Sequence, residues 1–250
     1  MITLFCDLDN TILFSHRKTL NTPKRVAEMI NGLEQSYITE RSFSFLSSCH
    51  SVSVVPVTTR TQLQYKRVAK TFESFNCNYA LILNGAVLLR DGRIDATWLN
   101  ESKELVKSAA SEMEKASSLL ERYGMVSLSY SDTFLSYARV EEPTIITEMI
   151  RHDINTALIN VFFDSRKVYC IPSVLTKGNA VRRLLKQIEP GVSIAVGDSD
   201  NDLSMFETVD IPIVPFSLKE RVCNTNKLIA PIDQVLSDAA CDFINNYICN

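Results

Sequence analysis

Two acidic clusters stand out by residue type and spacing. The first is Asp7-Leu8-Asp9-Asn10-Thr11, at the end of the apolar run Met1–Phe5. In an extended chain, residues two apart point to the same face, so Asp7 and Asp9 are placed to share one site. Two close carboxylates repel each other unless a cation or a shared proton lies between them. A hard divalent cation answers that repulsion, and Mg²⁺ suits carboxylates combined with a substrate phosphate. The blander alternative is a strand that ends in a solvated acidic loop. The second cluster, Gly197-Asp198-Ser199-Asp200-Asn201-Asp202, follows the apolar run Val192–Val196. Asp198 is the distant carboxylate that can complete such a metal site. Asp202 lies near a helix start, where it can instead cap the helix and meet its dipole. The spacing and closing Glu of an EF-hand loop are missing, which excludes that reading.

Two further motifs suit phosphate. Thr58-Thr59-Arg60 ends a β-branched run and opens a helix. Hydroxyls and free backbone N–H groups at a helix N-terminus bind phosphate, although either threonine can also serve simply as the cap. Lys177-Gly178 opens another predicted helix. A cation there opposes the helix dipole. Lys177 therefore needs a compensating partner, and a phosphate beside the aspartates would supply one.

The elements that must position these residues can be read from periodicity. Met1–Phe5, Ser51–Val57 and Tyr79–Leu83 are apolar strand-like runs, and Pro56 sits awkwardly in the second. Helical spacing is expected over Pro23–Leu33, with Thr22 as its N-cap, and over Phe43–Ser48 and Gln62–Phe72. Strand alternating with helix predicts a parallel α/β sheet. The pattern then changes. Asp91-Gly92 marks a hairpin between Val87–Leu89 and Arg93–Ile94. Beyond it come a long helix over Asn100–Tyr123, strands over Met125–Tyr130 and Leu135–Val140, and a helix over Thr144–Leu158. A strand pair over Asn160–Phe163 and Lys167–Ile171 closes this section. The α/β pattern resumes with helix Lys177–Ile188, strand Val192–Val196 and a helix from Asp202. Short strands at Asp210–Val214 and Lys227–Ile229 and a terminal helix over Asp233–Ile248 complete it. The expected organisation is an α/β core of residues 1–85 plus 171–250, interrupted by an α+β module of residues 86–170.

Composition bounds the function. The chain has 250 residues, 46% of them hydrophobic and 22% charged, as in a globular protein with a sizeable core. Lys+Arg is 26 against Asp+Glu 29, a net charge of −3, so no basic excess points to nucleic acid. The seven cysteines are scattered with no C-x-x-C pair, which argues against a disulfide framework or zinc site and for reduced thiols. No basic segment precedes the early Asp7, so no signal peptide is expected, and no apolar run approaches the roughly 18 to 20 residues of a membrane span. A cytoplasmic location is expected. Oligomeric state is not encoded in these features.

Taken in order, D-x-D-x-T, Thr-Thr-Arg, Lys-Gly and G-D-x-x-N-D resemble the haloacid dehalogenase (HAD) superfamily of aspartate-nucleophile phosphatases, and the resemblance runs the length of the chain. It implies a Rossmann-like parallel core with an inserted cap and a Mg²⁺-dependent hydrolysis of a small phosphorylated metabolite, such as a sugar phosphate. Asp7 would be the nucleophile that becomes an aspartyl-phosphate. Asp9 would be general acid, then general base. Thr58 and Lys177 would hold phosphoryl oxygens, with Thr59 and Arg60 beside them. Asp7, the backbone carbonyl of Asp9, and Asp198 would ligate the metal, with Asp202 and Asn201 orienting that shell. Thr59 stands where many relatives have Gly, and Ile171–Lys177 lacks their glycine-containing approach.

The insertion point after Asn84-Gly85-Ala86 resembles the type C2, subtype B cap of Cof-like and sucrose-phosphatase-like members, with Asn84 near substrate or serving its turn. Leu33–Glu40, Pro56–Tyr65 and Asn84–Gly92 also resemble HAD-type proteins found with bacterial tellurium-resistance clusters. Trp98 as a base or sugar platform, Arg139, Arg151 and Arg166 as anion partners, and His16 at the entrance are candidates for reading the leaving group. His50 and His152 have no metal-ligand spacing. A phosphomutase on the same scaffold and a non-catalytic phosphometabolite-binding protein are the competing functions.

Overall fold

The computed structural model describes residues 1–123, 128–189 and 191–249. They form two compact units, Met1–Ile94 with Thr176–Asn250, and Asp95–Leu175.

The first unit begins with β1 (Ile2–Cys6), buried at every position. β2 (Phe14–Ser15), β3 (Lys24–Ile30) and β4 (Leu33–Thr39) follow as a small antiparallel sheet of order β2-β4-β3. The helix expected over Pro23–Leu33 is therefore a hairpin. Its turn is Asn31-Gly32, with φ of 52° and 78°. Two successive positive φ values make the type I′ turn whose twist matches paired strands, and Asn-Gly is its preferred dipeptide. The pairing slips between Val26 and Glu28 and again between Glu28 and Met29. These bulges leave Glu28 opposite Ser36. Thr39 then caps α1 (Glu40–Ser48), its Oγ1 accepting from Ser42 N at 3.1 Å.

β5 (Val52–Pro56) pairs in parallel with β1, Ile2 against Val52 and Cys6 against Pro56. β5 is an edge of the main sheet, where a missing N–H is tolerated, which accommodates Pro56. A capping box starts α2 (Gln62–Phe72): Thr61 Oγ1 accepts from Gln64 N, and Gln64 Oε1 accepts from Thr61 N. Neither Thr58 nor Thr59 is the cap. β6 (Tyr79–Ile82), β7 (Val87–Arg90) and β8 (Arg93–Ile94) form an antiparallel meander, with Asp91-Gly92 as its second turn.

The second unit starts at Asp95, which caps α3 (Ala96–Val106). The helix expected over Asn100–Tyr123 is broken by a 3₁₀ turn at Lys107–Ala109 and continues as α4 (Ala110–Tyr123). β9 (Leu128–Ser131) and β10 (Ser136–Arg139) follow, residues 125–127 of the expected strand lying outside the described residues. α5 (Pro143–Asp153) has proline in its first turn. It stops short of Leu158 because Leu158 N and Ile159 N donate to Asn155 O in a turn. β11 (Ile159–Asp164) and β12 (Lys167–Pro172) complete an antiparallel sheet of order β11-β12-β10-β9. Met113, Leu120, Ile150, Val161 and Val168 lie in the core shared by α4, α5 and this sheet.

The chain re-enters the first unit at α6 (Lys177–Leu185). β13 (Val192–Val196), α7 (Leu203–Phe206), β14 (Ile211–Val214), β15 (Leu228–Ile229) and α8 (Leu236–Cys249) follow. The main sheet is parallel with order β15-β14-β13-β1-β5. Its central strands are apolar on both faces, as parallel strands covered on both sides are. The expected α/β parallel core is what forms. Its division from the second unit falls at 94/95 and 175/176, where the sequence suggested 85/86 and 170/171, because β7 pairs with β6 of the core. Among the described residues, no helix is long and apolar enough to cross a membrane.

Candidate active site

The carboxyl ends of β1 and β13 are adjacent, and both acidic clusters leave the sheet there. Asp7 is the first residue past β1; its N–H donates to Val196 O at 3.0 Å, which fixes its backbone against β13. The chain then reverses tightly, with the N–H groups of Thr11, Ile12 and Leu13 all donating to Leu8 O. The extended run in which Asp7 and Asp9 share a face thus ends before Asp9. The Asp9 carboxylate takes a separate partner: Arg60 Nε and an Arg60 terminal nitrogen donate to it at 2.9 and 2.8 Å.

Asp7, Asp198 and Asp202 each bring a carboxylate oxygen into one group whose atoms lie within 4.8 Å of one another. Thr11 Oγ1 lies 3.1 Å from Asp198 Oδ1 and 3.4 Å from Asp7 Oδ2, so its single hydroxyl spans the two aspartates. Asp202 is fully buried and saturated. Its Oδ2 accepts from Asp198 N, Ser199 N and Ser199 Oγ at 3.1, 3.0 and 3.0 Å, while Oδ1 accepts from Lys177 Nζ at 2.5 Å. Asp202 therefore shapes the loop that carries Asp198. Gly197 makes room for it, since a Cβ there would fall 2.4 Å from the Asp202 carboxyl carbon.

Lys177 opens α6, whose N-cap is Thr176. Only 1% exposed, it donates to Asp7 Oδ1 and Asp202 Oδ1, both at 2.5 Å. These carboxylates answer the unfavourable helix dipole. Burial would pull the Lys177 ammonium down, but Asp202 and Asp7 outweigh it and hold the group above the usual lysine range. Burial pushes the Asp7 carboxyl well up; Lys177 opposes this, and Asp202 and Asp198 add to it. Three carboxylates against one ammonium leave excess negative charge. An all-oxygen donor set with that excess fits a hard divalent cation.

Thr58 is buried at the end of β5, with its N–H on Leu81 O and its carbonyl on Asn84 N. Arg60 N donates to its Oγ1 at 3.2 Å, and Thr59 beside it is half-buried. Leu83 and Asn84 both have positive φ, which turns the buried Asn84 side chain to accept from Asn201 Nδ2 at 2.9 Å. Thr58, Asn84 and Asn201 thus form one linked set. A cavity of about 660 Å³ opens beside Asp198, with Asn10, Lys18, Arg41 and Asp233 among its walls.

Glu28 was not anticipated. It is 5% exposed, accepts from Arg60 at 3.1 Å, from Arg67 Nε at 2.7 Å and from Ser36 Oγ at 3.3 Å. Burial would raise its carboxyl, but the Arg60 charge and hydrogen bonds from Arg67 and Arg60 hold it below the usual glutamate range. The Asn31-Gly32 signal, which marks a hairpin, was the clue that could have found it.

The second unit's candidates are placed otherwise. Trp98 is 1% exposed, so it packs in the interior and offers no platform. Arg151 clamps α5 to β11 by donating to Val161 O at 3.0 and 2.6 Å. Arg139 and Arg166 are exposed. In the first unit, His16 is exposed and 3.2 Å from Gln35 O.

A parallel sheet whose carboxyl edge gathers buried aspartates around a lysine is the arrangement of an α/β enzyme. The chain belongs to the haloacid dehalogenase-like hydrolases, whose family model matches residues 57–230, more than half of it. Among solved structures it is similar to the sucrose-phosphatase of Synechocystis sp. PCC6803, captured with sucrose and phosphate, at 16% identity and a TM-score of 0.69, covering 99% of this chain and 98% of that one. It is also similar to the HAD subclass IIB sugar phosphatase BT4131, at 13% identity and TM-score 0.63 over the whole of both chains. The trehalose-6-phosphate phosphatase of Aspergillus fumigatus matches at 13% identity and TM-score 0.52, covering 98% and 92%. No curated protein matches the chain.

Proposed function

We propose that this protein is a Mg²⁺-dependent phosphomonoester hydrolase acting on a small phosphorylated metabolite, a sugar phosphate being the favoured class. The observation that carries the reading is the buried Lys177–Asp7–Asp202 set, with Asp198 alongside, at the carboxyl ends of β1 and β13. The sugar-phosphate class follows from the sucrose-phosphatase, BT4131 and trehalose-6-phosphate phosphatase likenesses. Kinship with the tellurium-associated group is part of the proposal but names no substrate.

Asp7 attacks phosphorus through a carboxylate oxygen, and the bond from phosphorus to the ester oxygen breaks. In its protonated form Asp9 gives a proton to the departing alkoxide, which leaves as an alcohol. Water then attacks the aspartyl-phosphate, its proton passes to Asp9, and the phosphorus–Asp7 bond breaks to release inorganic phosphate. Lys177 neutralises Asp7 and holds a phosphoryl oxygen, and Thr58 holds another. Thr59, Arg60, Asn84 and Asn201 complete the surround. Asp7, Asp198 and the backbone carbonyl of Asp9 hold Mg²⁺, and Asp202 orders their loop. When bound, the metal neutralises and aligns the transferring group. The unit 95–175 is read as a type C2, subtype B cap that selects the leaving group.

The test is release of inorganic phosphate from a panel of sugar phosphates with and without Mg²⁺. Asp7→Asn is expected to abolish it. Metal-independent release, or isomer interconversion without free phosphate, would refute the assignment.

A further inference from the structure

We propose that Glu28 is a positioning residue for Asp9, acting through Arg60; this rests on the reading of Asp9 as the proton donor. The chain of contacts is continuous. Arg60 grips both Asp9 oxygens, from Nε at 2.9 Å and from a terminal nitrogen at 2.8 Å. That same terminal nitrogen reaches Glu28 at 3.1 Å. Arg67 and Ser36 hold Glu28 in turn. The fork geometry of a guanidinium fixes a carboxylate in orientation as well as distance.

The burial pattern says which end is the anchor. The Asp9 side chain is 49% exposed, whereas those of Arg60 and Glu28 are 9% and 5% exposed. Arg60 has a long flexible stem, and its backbone lies in the loop before α2. Among the described residues, its other acceptors are Asp9 and Gln64 O, and the Gln64 contact is long at 3.4 Å. Asp9 alone is too exposed to set the guanidinium's place. Glu28 does so because the two bulges around it depart from regular pairing at that one position, and bulges near active sites re-aim side chains. The β3–β4 hairpin thereby orients a residue in the loop after β1.

Leaving-group dependence isolates this role, because a general acid matters most when the departing oxygen is basic. Steady-state rates are measured on alkyl, phenyl and 4-nitrophenyl phosphates for the wild type, Asp9→Asn, Glu28→Gln and the double variant. Glu28→Gln is expected to lower kcat on the alkyl and phenyl esters about tenfold more than on 4-nitrophenyl phosphate, with KM little changed. The added selectivity should vanish in the Asp9→Asn background. Arg60→Lys, which keeps the charge but loses the fork, should behave alike and serves if Glu28→Gln does not fold. Equal losses on all three esters, or full additivity with Asp9→Asn, overturn the inference. If Asp9→Asn itself shows no leaving-group dependence, the reading of Asp9 fails first and takes the inference with it.

Discussion

Lys177 Nζ donates to Asp7 Oδ1 at 2.5 Å, joining the first residue of α6 to the first residue after β1. The same ammonium serves Asp202, so one buried cation neutralises two buried carboxylates. Removing one partner from a buried ion pair is more damaging than replacing the whole set, because a bare charge remains. Lys177→Met is therefore expected to cost about 3 to 5 kcal/mol. Urea unfolding of the metal-free protein checks this, and a near-neutral effect would contradict the pairing.

Asp7→Asn should act in the opposite direction on stability while abolishing turnover. Burial, with Asp202 and Asp198 nearby, raises the Asp7 carboxyl above its unfolded value. A raised carboxyl contributes stability below the ordinary carboxylate range, and that contribution is lost as pH rises through the raised value. Ionising Asp7 thus destabilises the metal-free fold. With metal chelated, the Tm of Asp7→Asn relative to the wild type should rise as pH is raised above the ordinary carboxylate range, and the difference should shrink as pH falls back into it. Equal Tm values across that range would count against the charge excess described at this site.

Gly197→Ala is expected to reduce stability and turnover together. Its Cβ would press on the Asp202 carboxyl carbon at 2.4 Å, and Asp202 cannot yield without releasing Lys177 and the loop bearing Asp198. A loss of about 1 to 3 kcal/mol is expected, as for overpacking. Gly92→Ala is the control. An added Cβ there meets nothing within 4 Å, so the strain comes from its φ of +74° alone and turnover is unaffected. If Gly197→Ala matches Gly92→Ala in both measurements, the close approach has no functional weight.

The strands that lead into the candidate site were legible because their signals are local: an apolar run followed at once by acidic or hydroxyl residues. The hairpin was not. Val26, Ile30 and Leu33 have helix-like spacing, yet Asn31-Gly32 turns the chain between the last two, and pairing of Phe14 with Tyr37 holds β4 in a sheet. Thr11 was visible as part of a motif, but its bridge from Asp7 to Asp198 depends on strand adjacency. The separate partners of Asp7 and Asp9 escaped period-two reasoning because Leu8 O ends the extended run. Glu28 could not be linked to Arg60 without the bulges that aim it, and bulges have no reliable sequence signature when the strand itself is misread.

The pairing of Ile2 with Val192 has a bearing on how the chain reaches its native state. β1 is central in the sheet, yet one of its two neighbours is made only after the whole 95–175 unit has been synthesised. Until then the edge of β1 opposite β5 is unpaired, and Lys177, Asp198 and Asp202 have yet to join Asp7. The 95–175 unit is contiguous in sequence and can close its own core first. The surroundings of Asp7 thus require a long loop to close, and pairing across long sequence separations is intrinsically slow.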